Sequence, residues 1–240
     1  MTTSLAVTDV LRAGSVLRQL VQGGGFVLLQ SRELRRAARG ATAIYPEVGD
    51  RYLTTVVRLP LRLANCALSA VSQLPTAENH YVYPAADLHL TVLNLDRSDR
   101  TVPERVQLAA EALQVASPFA VTLRGLGISS QSLYAKVYDN AGALGALRRR
   151  VAAATDSRAS LPVRLLGFVD LMRFRSTDIA RLTAAVRALR RLPLGTLQVR
   201  TVEIVSTDRL LSRAETTMLQ RVDLGGKQKG ETNGLRGKGR

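Results

Sequence analysis

Apolar positions in this chain change period repeatedly between two and about 3.6, which marks alternating strands and helices. From residue 52 onward the pattern predicts a strand over 52–59, a helix over 61–74, strands over 81–83 and 88–95, and a helix over 103–115 with Pro103 in its first turn. The order then recurs in outline. Strands are predicted over 119–126 and 132–138 around Gly125-Leu-Gly127, a helix over 141–154, a strand over 163–174 and a helix over 178–192 capped by Thr177 or Asp178. Closing strands follow over 197–206 and 216–224. Two sets of strands, each carrying helices, make an α+β protein with two pseudo-symmetric lobes of antiparallel sheet, about 51–117 and 118–224.

On either side of this region the pattern changes. Residues 1–50 read as a basic helical extension. Val7, Val10, Leu11, Leu17, Leu20 and Val21 form an apolar stripe, Gly23-Gly-Gly25 a break, and Arg32, Arg35, Arg36 and Arg39 line a second short helix. Residues 225–240 hold five cations against Glu231 and no apolar period, so a disordered basic tail is expected.

At 240 residues and 46% apolar content the chain can bury a sizeable core. The 34 basic and 19 acidic side chains leave +15, a balance that favours polyanions through a salt-sensitive attraction without sequence specificity. Stacking platforms for single-stranded bases are scarce, with four Phe, six Tyr and no Trp. No apolar run is long enough to span a bilayer, and Asp9, Arg12 and Arg18 interrupt any signal peptide, so a soluble cytoplasmic monomer that does not bind membranes is expected. Cys66 is the sole cysteine, which excludes an internal disulfide; its place on an apolar helix pattern predicts inert core.

Within the strand over 88–95, His89 and Thr91 are two residues apart and therefore share a face. An imidazole moves protons near neutrality and a hydroxyl donates to an anionic oxygen, a pair suited to phosphate. If the preceding hairpin pairs Tyr83 with Leu88, His80 lies opposite Thr91 and becomes a candidate second proton carrier. Tyr134, on a strand of the other lobe, is a further candidate binding residue. Two histidines without a carboxylate cluster argue against a metal, and no organic cofactor is implied.

The run Tyr83-Pro84 followed by Asp87-Leu-His-Leu-Thr-Val92 resembles the first motif of the two-histidine phosphoesterases, which include the bacterial 2′-5′ RNA ligase and RNA 2′,3′-cyclic phosphodiesterase group. Gly125-Leu-Gly127 and Thr201-Val-Glu-Ile-Val-Ser-Thr-Asp-Arg209 resemble further family elements. The resemblance implies a central cleft with a second His-x-Thr/Ser motif facing the first. Here the corresponding segment is Gly167-Phe-Val-Asp-Leu-Met-Arg-Phe174, with Phe168 in the histidine position, Asp170 in the hydroxyl position and Arg173 as phosphate clamp. By the resemblance, His89 is the acid or base, Thr91 the oxygen donor, and the partner RNA or a small nucleotide with a 2′,3′-cyclic or 2′-5′ linkage. Losing one acid or base typically removes about 10² to 10⁴ in rate, so impaired or altered catalysis is expected. A non-catalytic RNA- or nucleotide-binding relative is the alternative, and a partner engaged through the basic leader a third.

Overall fold

The computed structural model describes residues 3–38, 51–75, 79–96, 98–157, 166–175, 180–208, 210–212 and 214–226, with side chains of the first helix described over 15–32. Nine strands form two antiparallel sheets among the described residues. The first sheet has the order β3-β1-β8-β9, built from β1 (Tyr52–Arg58), β3 (His89–Asn94), β8 (Thr201–Thr207) and β9 (Thr217–Asp223). The second has the order β2-β6-β5-β4-β7, from β2 (Tyr81–Val82), β4 (Phe119–Ile128), β5 (Ser132–Tyr138), β6 (Gly167–Arg173) and β7 (Pro193–Val199). Five α-helices among the described residues accompany them: α1 (Thr3–Ala38), α2 (Leu61–Val71), α3 (Val102–Gln114), α4 (Ala143–Thr155) and α5 (Ala180–Ala188). Most of the buried apolar side chains form one continuous core that includes residues of both sheets and of α2, α3, α4 and α5. The expected α+β architecture is therefore present.

The sheets interleave the two halves of the sequence. β2 leaves the first sheet and pairs with β6, setting Tyr81 opposite Arg173 and Val82 opposite Met172. The hairpin that would pair Tyr83 with Leu88 does not form: Pro84 has no amide hydrogen for a ladder, and Ala85–Asp87 is a 3₁₀ turn that carries the chain across to the other sheet. The strand expected over 197–206 is two strands in different sheets. Val199 ends β7 opposite Phe119, and Thr201 begins β8 opposite Asp223.

Two further expectations are corrected. α1 runs unbroken through Gly23-Gly-Gly25. Glycine weakens a helix by only about 1 kcal/mol per residue, and tertiary contacts offset that here. The docking side chains are Phe26 and Leu29, packed in a cluster with Tyr134, Tyr138, Leu166 and Phe168. Leu17, Leu20 and Val21 of the expected stripe are exposed. Cys66 also faces solvent on α2 rather than the core, because Leu63, Ala64, Ala67, Ala70 and Val71 take the buried face. Thr177, Asp178, Arg39 and the tail beyond 226 lie outside the described residues, as do the side chains of Arg35 and Arg36.

Candidate functional site

β3 and β6 lie in contact where the two sheets meet, and each carries a one-residue bulge at the same point of its motif. In the β1–β3 pair, His89 faces Arg58, Thr91 faces Val56 and Asn94 faces Thr54; the register shifts by one so that Val92 is unpaired. In the β5–β6 pair, Phe168 faces Lys136, Asp170 faces Tyr134 and Arg173 faces Ser132; here Leu171 is the unpaired residue. The bulges thus match His89 with Phe168, Thr91 with Asp170 and Asn94 with Arg173. A bulge also re-aims the side chains beyond it. Without the extra residue Arg173 would point to the opposite face from Asp170; with it, the two form an ion pair with Nη2 2.7 Å from Oδ2.

His89 is 6% exposed, and its Nδ1 lies 2.8 Å from the Asp87 carbonyl oxygen. That oxygen can only accept, so Nδ1 carries the proton and Nε2 holds the lone pair. Burial pulls the imidazole down to about 4, opposed by the Asp87 hydrogen bond and reinforced by the Arg58 charge. Near pH 7 the ring is neutral, with Nε2 ready to accept a proton. The Asp87 carbonyl also accepts from Arg58 Nη1 at 3.2 Å, and Arg58 is in turn held by Glu203 at 3.3 Å. One arginine and one carbonyl therefore fix the ring's tautomer and orientation.

Thr91 is half-buried; its carbonyl accepts from Arg148 Nη2 at 2.9 Å, and its hydroxyl makes no hydrogen bond recorded among the described residues. Asp170 is fully engaged, with Ser132 Oγ donating to Oδ1 at 2.8 Å and Arg173 on Oδ2. It is a support for Arg173 rather than a base. Arg173 Nε donates to the Tyr83 phenol at 3.2 Å, and burial works against its charge while Asp170 and Tyr83 outweigh that and hold its pKa above the usual range. Two of the five guanidinium N–H groups remain to bind an anion after Asp170, Tyr83 and a weak contact to Gln131. The Tyr83 ring stands edge-on to His89 with centroids 6.3 Å apart, so it links the imidazole to Arg173. Burial raises the phenols of Tyr83 and Tyr52 above their ordinary range, and both remain neutral donors.

Phe168 sits in the aromatic cluster, its ring 5.6 Å from that of Tyr134, which is itself buried beneath Phe26. Tyr134 faces Gly127, where a Cβ would come within 2.5 Å of the phenol ring. His80 belongs elsewhere. Because Tyr81 lies opposite Arg173 and shares its face, its neighbour His80 points to the other face, edge-on to Phe174 at 5.3 Å with Nδ1 accepting the Arg175 amide at 3.3 Å. It is not opposite Thr91. Among the described residues no three metal-ligating side chains converge, and no helix is long and apolar enough to cross a membrane.

Sequence reasoning passed over Tyr52, Arg58, Ser132 and Arg148. Arg148 had a readable signal: it interrupts the stripe Leu144, Leu147, Val151 on one face of α4, and a cation on a buried face needs acceptors.

A family model described as "2'-5' RNA ligase superfamily" matches residues 62–210. Among solved structures, TT0787 of Thermus thermophilus aligns with TM-score 0.55 and 19% identity over 74% of this chain and all of that one. A protein described only as a phosphoesterase aligns at 0.57 and 16% identity over 73% of this chain and 99% of its own. LigT of E. coli complexed with phosphate aligns at 0.51 and 18% identity over 72% of this chain and 97% of its own. LigT complexed with 3'-AMP gives 0.52 and 17% over the same shares. No curated protein matches the sequence.

Proposed function

This chain belongs to the 2′-5′ RNA ligase superfamily, and we propose from that premise that it is a phosphodiesterase acting on RNA ends or small nucleotides with a 2′,3′-cyclic or 2′-5′ linkage, working with one histidine instead of two. The observation that carries this reading is His89 itself: a neutral ring, locked by the Asp87 carbonyl, with its Nε2 unprotonated and its side chain on the strand face that also carries Thr91. Structures of LigT with phosphate and with 3'-AMP support a nucleotide phosphate as the ligand class.

In this reading Nε2 takes a proton from water as its oxygen attacks phosphorus, the bond to the 2′ or 3′ oxygen breaks, and Thr91 and Arg173 stabilise the charge on the phosphoryl oxygens. The leaving oxygen takes its proton from solvent, since Phe168 has none to give. Hydrolysis is then slower than at a two-histidine site by about 10² to 10⁴.

Phe168, half-buried and packed against the Tyr134 ring where the family motif has a histidine, favours a second reading, in which the site binds RNA without turnover. Incubation with 2′,3′-cyclic nucleotides separates the two. Slow hydrolysis that disappears in His89→Ala supports the phosphodiesterase. Intact cyclic nucleotide at every protein concentration, with His89→Ala indistinguishable, rejects it; RNA binding that weakens steeply with salt then supports the second.

A further inference from the structure

Around Phe168 the cations are arranged in a way that the surroundings of His89 do not repeat. Lys136 faces Phe168 on β5 as Arg58 faces His89 on β1. Arg58 has Glu203. Lys136 has no carboxylate: its only recorded partner among the described residues is the Phe26 ring, with Nζ 6.0 Å from the centroid. It is 6% exposed. Of the four lysines it is the one that precedes residue 227, in a chain that otherwise carries arginine.

The turn that carries Arg190 is docked by a backbone device onto the strand that carries Arg124. β4 bulges at Arg124 and Gly125, opposite Lys136, because Leu123 pairs with Val137 and Leu126 with Ala135. Gly125 has φ +76°, and a Cβ there would lie 2.0 Å from the Arg190 carbonyl oxygen, so only glycine lets the turn after α5 close onto the strand. Gly125 N–H donates to Leu192 at 2.7 Å and Leu126 N–H to Leu189 at 3.1 Å, which seals the contact. Arg124 then lies over the Tyr138 ring at 5.4 Å, and Tyr138 packs on Phe26 at 5.5 Å. Arg124 and Arg190 are exposed and form no recorded ion pair among the described residues. Asp139, the nearest acid along the strand, is spent on the amides of Ala143 and Gly145 at the start of α4.

We propose that Lys136, Arg124 and Arg190 form a second anion site that holds a phosphate group of the ligand distinct from the one at His89. A partly desolvated ammonium with cationic neighbours and no counter-charge is stabilised when an anion completes it. Burial, then Arg124 and Arg190, already lower the lysine's pKa. A point-charge ammonium at the base with two guanidinium groups at the rim suits a phosphate dianion. That this phosphate belongs to a nucleotide rests on the reading above; the site's affinity for anions does not.

The test uses full-length protein labelled with ¹³Cε-lysine, the Lys136 resonance being assigned by Lys136→Arg. Inorganic phosphate, against chloride at equal ionic strength, is expected to raise the midpoint of the Lys136 titration by about one pH unit, a tenfold preference for the ammonium form. The other three lysines serve as internal controls. Arg190→Gln weakens the phosphate effect at least threefold, and His89→Ala leaves it intact. An equal response to chloride, or a Lys136 midpoint indifferent to phosphate, overturns the site. Failure to hydrolyse cyclic nucleotides with the Lys136 response preserved sinks the enzymatic reading alone.

Discussion

Arg148 Nη2 donates to the carbonyl oxygen of Thr91 at 2.9 Å, which ties α4 to the motif strand of the first sheet. The same guanidinium donates through Nε to Val92, the bulge residue, at 2.8 Å, and through Nη1 to Leu166, just ahead of β6, at 2.8 Å. One side chain, 3% exposed, therefore fixes the β3 bulge relative to the start of the opposing motif. Its charge is kept although burial, partly opposed by Asp139, draws its pKa down to about 10.

Replacing that guanidinium leaves three carbonyls without their donor. Arg148→Met is expected to lower stability by about 3–5 kcal/mol, the usual cost of breaking a buried charged network. Arg148→Lys recovers less than half, since an ammonium lacks the planar fork. Urea unfolding midpoints check both; a loss below about 1 kcal/mol in the methionine variant is incompatible with this role.

His89 sets a pH dependence of definite sign. Its folded pKa of about 4 lies below the ordinary 6.5, so the unfolded chain binds more protons between those values. Stability is then full above about pH 6.5 and falls as pH drops toward 4, by about 3 kcal/mol over the window. His89→Asn should flatten this slope, measured as urea midpoints at pH 7 and pH 5. On the phosphodiesterase reading proposed above, the acid limb of hydrolysis should fall near pH 4 rather than 6.5, because the base is lost only when Nε2 is protonated.

How far the sequence carried this picture depends on the range of the interactions involved. His89 and Thr91 were readable because their shared face follows from a strand period of two. The match of Phe168 to His89 was legible from the motif, and the paired bulges at Val92 and Leu171 give it a structural basis. His80 was misplaced because a local hairpin was assumed where Pro84 and the 3₁₀ turn send the chain to another sheet. The split at Arg200 was invisible, since β7 and β8 are both apolar strands and only tertiary partners separate them. The glycines in α1 misled in the other direction: intrinsic propensity reads Gly23-Gly-Gly25 as a break, whereas Phe26 packing decides the outcome.

Restoring an imidazole at residue 168 should raise activity. Phe168 is only half-buried and occupies on β6 the place that His89 holds on β3, so Phe168→His sets two imidazoles at matching positions of the motif strands. The variant gives up apolar contact with Tyr134, a cost of about 1–2 kcal/mol. In exchange the leaving oxygen gains a proton donor, and kcat on a 2′,3′-cyclic nucleotide should rise by at least tenfold, within the range typical of general acid catalysis. Single-turnover kinetics with Phe168→His and the His89→Ala/Phe168→His double variant checks this; the gain must vanish in the double variant, where the base is missing.

The seating of α1 can be tested apart from the chemistry. Phe26 is 1% exposed, its ring 6.3 Å from that of Tyr134 and 5.5 Å from that of Tyr138. The polar contacts beside it are few: Gln19 Nε2 donates to Asn140 Oδ1 at 3.0 Å, and Gln22 Oε1 accepts the Asp139 amide at 3.1 Å. Such bonds contribute about 1 kcal/mol each, whereas truncating a buried Phe costs about 3–5 kcal/mol. Phe26→Ala should therefore release α1 while the two sheets stay folded. Hydrogen exchange is expected to speed up across residues 15–32 and to remain slow in β1, β3 and β8, which share the core that α1 does not enter. Faster exchange in β3 as well would mean that α1 is an integral part of the core rather than a helix seated on its surface.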